Sequence, residues 1–283
     1  SGTMCATCFV GCGAGLTGVP GFSADAQENL YAGTDAGAAS DADTCFNIGL
    51  GYRTLCSLDS GDCNVALGVC AGAGLDSGSA NVLIGDCTGK GLSSHSGNTF
   101  LGGRAGQYSS GNRNTLIGCG AGLNMSNGGC NVFIGYYSGK LAYGTPIDNS
   151  AIGHCTLYCL NGGDCNSVLG TKAGYCTVAG SCNIFLGVCA GYYNTSGCSN
   201  TFLGYQSGNT NTSGCCNVAI GRDVELPSAT GNHQFAIGDG TNRWITGDSN
   251  FNIYDKDGNQ ITGGGGGGGI SQAKATAISM TFG

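Results

Sequence analysis

Short apolar phrases punctuate this chain at a steady interval. "NTFLG" (Asn98 to Gly102), "NVFIG" (Asn131 to Gly135), "NIFLG" (Asn183 to Gly187) and "NVAIG" (Asn217 to Gly221) each set an Asn before three apolar or small residues and close on Gly. Such β-rich runs read as short strands, and the Gly ending each one permits a sharp corner at positive φ. The text between phrases is polar, as in "NTSG", "SSG" and "NGG", and reads as turns.

With the Asn as register mark, the phrase recurs at Asn29, Asn47, Asn64, Asn81, Asn98, Asn114, Asn131, Asn149, Asn166, Asn183, Asn200 and Asn217, spaced by 16, 17 or 18 residues. A Gly follows four residues after every one of these, from Gly33 to Gly221. A second Gly follows after four more in nine units, and Leu55, Leu157 and Glu225 replace it in the others. The motif is N-x-x-[LIA]-G-x-x-x-G. Thr7 to Gly15, "TCFVGCGAG", reads as an earlier copy and Gln234 to Gly238, "QFAIG", as a degenerate last one.

This period is too short for a helix-turn-helix unit and lies near that of β-solenoid coils. Gly every four residues also costs a helix about 1 kcal/mol each relative to Ala. The expected fold is all-β: a β-solenoid or β-roll of about thirteen coils, roughly 60 Å long at an inter-strand spacing of about 4.8 Å. A second short extended piece is expected after the "AG" of each unit. One coil cannot bury a core, so stability must come from stacking or from other chains. The recurring Asn then forms a ladder of side-chain amides, each bonding its copies above and below; the competing reading is a turn Asn that tolerates awkward dihedrals.

Composition narrows the class. The 283 residues include 57 Gly and only 3 Pro, which excludes collagen, and the recurring Val, Ile, Leu and Phe exclude a disordered linker. No run approaches the roughly 18 apolar residues of a membrane-spanning helix. The opening residues lack a signal-peptide pattern, so export would need a leader already removed or another route. Ten Lys and Arg against a net charge of −7 argue against a nucleic-acid partner. No cofactor is expected.

The runs "NTFLGYQSGNTNTSG", "GNRNTLIGCGAG" and "CNVFIGYYSGK", followed by "AIGDGTNRWITGDSNFNIYDKDGNQI", resemble the repeat regions of tail-fibre and other virion-associated structural proteins of marine bacteriophages, cyanophages in particular. The "AIG" phrase is more distantly similar to the left-handed β-roll heads of trimeric autotransporter adhesins, whose repeat is shorter. The resemblance covers roughly residues 7 to 238 for the repeats and 236 to 261 for the tail. It implies an elongated, often trimeric, non-enzymatic fibre involved in attachment. The cysteine content departs from it.

There are 19 Cys, several at equivalent repeat positions. The pairs Cys70 and Cys87, Cys165 and Cys182, Cys159 and Cys176, and Cys198 and Cys215 lie one coil apart, with Cα atoms about 5 Å from each other, inside the disulfide window. Rung-to-rung disulfides are one reading, buried free thiols a second and metal ligation a third. "CATC" at Cys5 to Cys8 has no partner pair at zinc-ribbon spacing. A disulfide-rich fibre would work outside the cell.

The expected division is 1–28 for an N-terminal strand, first coil and insertion, 29–238 for the solenoid, 239–262 for a capping β-hairpin, 263–269 for a poly-Gly hinge and 270–283 for a terminal strand. Trp244 is expected to cap the core. "KDGN" supplies a hairpin turn; its competitor is a calcium loop through Asp255, Asp257 and Asn259, whose Gly falls at the wrong position. In the tail, Ile278, Met280 and Phe282 share one face. That strand either lies along its own rod or enters a neighbouring subunit, with "SGTMCATCFVG" as its partner edge.

Enzymatic readings have little support. His95, His154 and His233 fall in different coils without a recurrent nucleophile. Asp59, Asp62, Asp76 and Asp86 sit in turn text, where a facing pair would be needed to cut a glycan. N-x-[ST] occurs at Asn124, Asn194 and Asn211. The sequence therefore points to a structural fibre on a virion or cell surface, associated with copies of itself and carrying receptor or glycan contacts on its turn loops. A filament linked end to end by strand exchange, and a glycan-cleaving spike, are the alternatives.

Overall fold

The computed structural model describes residues 24–262, and within them the chain is all-β with no helix. Each Asn is followed by one three-residue strand: β1 (Leu30–Ala32), β2 (Ile48–Leu50), β3 (Val65–Leu67), β4 (Val82–Ile84), β5 (Thr99–Leu101) and β6 (Thr115–Ile117). The series continues through β7 (Val132–Ile134), β8 (Ser150–Ile152), β9 (Ser167–Leu169), β10 (Ile184–Leu186), β11 (Thr201–Leu203) and β12 (Val218–Ile220). The solenoid closes with β13 (Phe235–Asp239), β14 (Asn242–Gly247), β15 (Ile253–Asp255) and β16 (Gln260–Thr262). All sixteen form one sheet in chain order.

From β1 to β13 every neighbour is parallel and paired residue for residue, as in Phe185 with Phe202 and Leu186 with Leu203. This is a β-solenoid of about twelve stacked coils, near the thirteen expected; the copy at Thr7 to Gly15 lies outside the described residues. In-register pairing places every residue over its equivalent, so the core is a set of columns. The strand centres form one column, with Phe100, Phe133, Phe185 and Phe202 fully buried and the last two stacked at 5.2 Å. Ala71, Ala105, Ala121 and Ala190 form a second, and Leu58, Leu75, Leu92 and Leu160 a third. Each buried Phe or Leu contributes about 1.5–3 kcal/mol of transfer free energy.

The second strand expected in each coil is absent. Beyond the strand each coil is a chain of turns, with only isolated bridges such as Gly129 to Ile147. Left-handed residues set the corners on either side of the strand. In the coil of Asn183, the residue before the Asn (Cys182, φ 58°) and the sixth after it (Cys189, φ 56°) are left-handed, as are Gly187 at 139° and Gly191 at 60°. The residues that follow, 192–198, have no left-handed member, yet they run as turns and bends joined to the neighbouring coils by single bonds, as from the Cys176 N–H to the Tyr192 carbonyl and from the Ser196 N–H to the Thr212 carbonyl. Gly187 shows why its position is never substituted: a Cβ there would stand 2.3 Å from the carbonyl oxygen of Gly204 one coil on.

The second Gly answers a different constraint. A Cβ on Gly139 would lie 2.2 Å from the Phe133 ring. Leu55 and Leu157 occupy this position with φ of 49° and 44°, both fully buried, and the strand centres of their coils are Gly49 and Ala151. The small strand residue vacates the volume that the Leu fills.

Beyond β13 the direction reverses, and β13 to β16 form an antiparallel meander. The hairpin expected over "KDGN" is present as β15 and β16. Its turn is held by the Asp255 carboxylate, which accepts the backbone N–H groups of Asp257 and Asn259 and the Asn259 amide at 2.8–3.1 Å. Those bonds hold the Asp255 acid below its ordinary range, the Asn259 amide first. Trp244 does not cap the core. Ile237 pairs with Ile245 while Gly238 pairs with Arg243, so Trp244 is the extra residue of a β-bulge and is 62% exposed. The hinge at 263–269 and the strand with Ile278, Met280 and Phe282 lie outside the described residues.

Gly187→Ala is expected to destabilise the solenoid by at least about 2 kcal/mol in urea unfolding, through both left-handed strain and the clash with the next coil. Gly103→Ala, where a Cβ meets nothing within 4 Å, is the matched control and should change stability little.

Candidate functional site

The repeated Asn is the most heavily bonded side chain of each coil. Asn64 illustrates the geometry: its backbone N–H donates to Asn47 Oδ1 at 2.9 Å, and its Nδ2 donates both to Asn47 Oδ1 at 3.0 Å and to the Gly78 carbonyl at 2.9 Å. Its own Oδ1 receives the N–H and Nδ2 of Asn81, and its carbonyl receives the N–H of Ile48. The backbone part of the pattern runs from Asn29 through Asn47, Asn64, Asn81, Asn98, Asn114, Asn131, Asn149, Asn166, Asn183, Asn200 and Asn217, all at 0–1% exposure, and the side-chain part holds as far as Asn183, since Asn200 and Asn217 turn that Nδ2 proton to Asn194 and Asn211. The second amide proton clamps the far end of the same coil, usually fourteen residues on, as at Gly163, Gly180 and Gly197. Gln234 ends the column, its longer amide turning to Ser228.

Only a neutral carboxamide meets these demands. Asp offers no donor and would stack charges about 5 Å apart. Near the C-terminal end a further pair joins the core: Asn211 Nδ2 donates to Asn194 Oδ1 at 2.6 Å. Asn194 and Asn211 are fully buried, which removes both as glycan acceptors.

A second polar column, missed in the sequence, stands two residues before each Asn and runs in the opposite sense. Here a backbone N–H donates to the side chain of the following coil: Cys45 to Asp62, Asp62 to Ser79, Ser79 to Ser96, and Ser96 to Asn112. It resumes as Ile147 to Asp164, Asp164 to Ser181, Ser181 to Cys198 Sγ at 3.4 Å, Cys198 to Cys215 Sγ at 3.1 Å and Cys215 to Asn232. The signal was the recurrence of short side chains bearing an acceptor at that offset.

Those last bonds explain two cysteines, and none of the expected disulfides is formed. Cys70, Cys87, Cys159, Cys165, Cys176, Cys182, Cys198 and Cys215 are all free, as are the other described cysteines. Equivalent residues of successive coils project their Cα–Cβ bonds in parallel, about 4.8 Å apart, beyond the Cβ separation of roughly 3.5–4.5 Å that a disulfide closes. Burial pushes the Cys155, Cys159 and Cys176 thiols up, which keeps them protonated. Among the described residues no three His, Cys, Asp or Glu side chains gather to hold a metal.

The residues considered for catalysis are dispersed. His154 stacks on Tyr136 at 5.4 Å, and His233 lies against Phe251 at 5.6 Å. His95 lines a cleft of about 290 Å³ with Arg113, Asn127 and Cys130, and no carboxylate lines it. Asp59 and Asp76 hold the same place in successive coils, side by side, and Asp62 is engaged in the second column. Tyr158, Tyr175 and Tyr192 stack along one flank at 4.9 and 5.1 Å. Lys140 stands over Tyr137 and donates to the Tyr158 hydroxyl at 2.9 Å. The tyrosine faces are spent on one another, which leaves only edges for a ligand.

The outer face of the sheet takes no part in these contacts. In β1 to β12 no residue is charged. The third residue after the Asn is aliphatic in every coil, from Ala32 to Ile237, and several of these side chains stand open: Leu101 at 44%, Leu169 at 48%, Leu186 and Leu203 at 40%. Tyr52, Val69, Tyr136, Val188 and Tyr205, two residues further on, are also exposed. Compared with protein-family models, curated proteins and solved structures, the chain matches none.

Asn64→Ala should cost about 2–4 kcal/mol, because it leaves the Asn81 N–H and the Gly78 carbonyl without partners; chemical unfolding measures it. A reducing agent should leave the unfolding free energy of the protein unchanged. A loss of about 2–4 kcal/mol on reduction would reveal a structural disulfide.

Proposed function

We propose that the protein is a non-enzymatic structural fibre element, of the virion tail-fibre or cell-surface kind, that works outside the cell as a stiff rod associated with copies of itself. The observation that carries this reading is the continuity of the parallel pairing and of the Asn column from the first described coil to the cap. Every coil is bonded to the next through strand, corners and side chains, so bending at any rung would break several bonds at once. The turn loops, which tolerate variation without touching these columns, are the natural place for a host receptor or glycan contact.

A second reading, a self-assembling filament, is favoured by the ends of the sheet. Among the described residues β1 and β16 each have one edge without a strand partner, and such edges accept further strands. Strand exchange through the tail at Ile278, Met280 and Phe282 would link subunits in this way.

Negative-stain electron microscopy of the non-reduced protein, with and without residues 263–283, tests both. Uniform rods about 60 Å long in both samples are the expected result. Long filaments that vanish on truncation would replace the fibre reading with the filament one, and compact particles in both would overturn the two together. A polysaccharide solution should keep its viscosity in the presence of the protein.

A further inference from the structure

We infer that the outer face of the parallel sheet is the docking surface for a second copy of this chain, packed sheet face to sheet face along the rod. The inference rests on reading the protein as a rod that associates with its own copies, and it names the surface through which it does so.

Strands covered on one face alternate apolar and polar residues, whereas parallel strands covered on both faces read as continuous apolar runs. "VFI", "IFL", "VLI", "VAL" and "VAI" are of the second kind, while Thr or Ser holds the first outward place in β5, β6, β8, β9 and β11 and the third place stays aliphatic. The core covers only the middle residue of each strand: in β10 Phe185 is fully buried, while Ile184 and Leu186 on either side are 51% and 40% exposed. The sequence is written for a second layer that the single chain does not supply.

The short segments outside the described residues offer little to it, residues 1–23 carrying one copy of the phrase at Thr7 to Gly15. The tail of residues 270–283 offers three apolar anchors, Ile278, Met280 and Phe282, to a face thirteen strands long. A second copy matches it throughout, because both rods carry the same rung repeat and meet with aliphatic side chains in phase. The face is about 60 Å long and about 10 Å across its two outward columns, so it offers on the order of 600 Å². The exposed Tyr and Val flank, interrupted by Asp86 and by Arg222 paired with Asp239, widens it toward the roughly 800 Å² per partner of a stable interface. Charge points the same way: each chain carries −7, and this face, having no charge, is where two copies approach with least repulsion. Contiguous apolar surface of this extent marks an association site on a soluble protein.

The test is a mass measurement by sedimentation equilibrium on the full chain and on the triple variant Leu101→Arg, Leu169→Arg, Leu203→Arg. All three are outward residues, and Tyr108→Arg, 61% exposed and off the face, is the control. The native chain and the control should sediment as a dimer or a larger assembly, and the triple variant should show at least a twofold fall in mass with its circular dichroism retained. A native chain that is monomeric at tens of micromolar, or a triple variant of unchanged mass, would overturn the inference. Should the triple variant not fold, a photo-crosslinking residue at Leu169 of the otherwise native chain decides. A crosslink to the outward strand residues of another copy supports the interface; a crosslink within the chain to residues 270–283, or none, overturns it. Single rods of unchanged length in the micrographs would show that the interface has failed while the rod reading stands; particles that are not rods would remove both.

Discussion

The structure depends on the carboxamide of one Asn per coil. That group holds two neighbours in register through Oδ1 and Nδ2 and closes its own coil through the remaining amide proton, as Asn64 does with Asn47, Asn81 and Gly78. Because it is buried, every bond it fails to make costs more than a surface bond would. The same geometry fixes the period: a coil that gained or lost a residue between the Asn and the carbonyl it clamps would have to absorb the change in its turn. The few coils of 16 or 18 residues do so there, with Asn98 reaching Gly111 and Asn131 reaching Pro146.

Once the Asn column is set, the glycines follow. Coils stacked at strand spacing bring backbone against backbone at each corner, and only a residue without Cβ fits where Gly187 meets Gly204. Between the strand centre and the second corner the interior then has room for one large side chain per rung. Where the strand centre is Phe133 the second corner is Gly139; where it is Ala151 the corner is Leu157. The free thiols belong to this economy of space, as small side chains at tight corners or, at Cys198 and Cys215, as acceptors in the second column.

Much of this was legible in the sequence. The strands, the corners and the Asn column follow from the repeat because a fixed interval in a stacked coil means a fixed place in space. What was hidden has physical causes. The closing bond of each Asn depends on the path of the whole coil, which no local phrase specifies. The disulfide expectation used Cα separation alone, whereas the parallel direction of stacked Cβ bonds keeps Cys165 and Cys182 apart. Trp244 was misplaced because a single bulge reverses which face a residue takes. The second strand per coil failed because the text after each "AG" folds as consecutive turns and bends, as at residues 192–198, which its composition does not distinguish from a short extended piece.

The central claim is that a buried column of Asn amides holds the rod together. Hydrogen exchange of asparagine side-chain amides, followed by NMR on protein labelled at Asn, tests it directly. The account predicts a protected group of amide protons, from the Asn47 to Asn217 column, that exchange only as slowly as the backbone of the strands, while exposed Asn250 exchanges at the solvent rate. Exchange of all asparagine side chains at the solvent rate would contradict it.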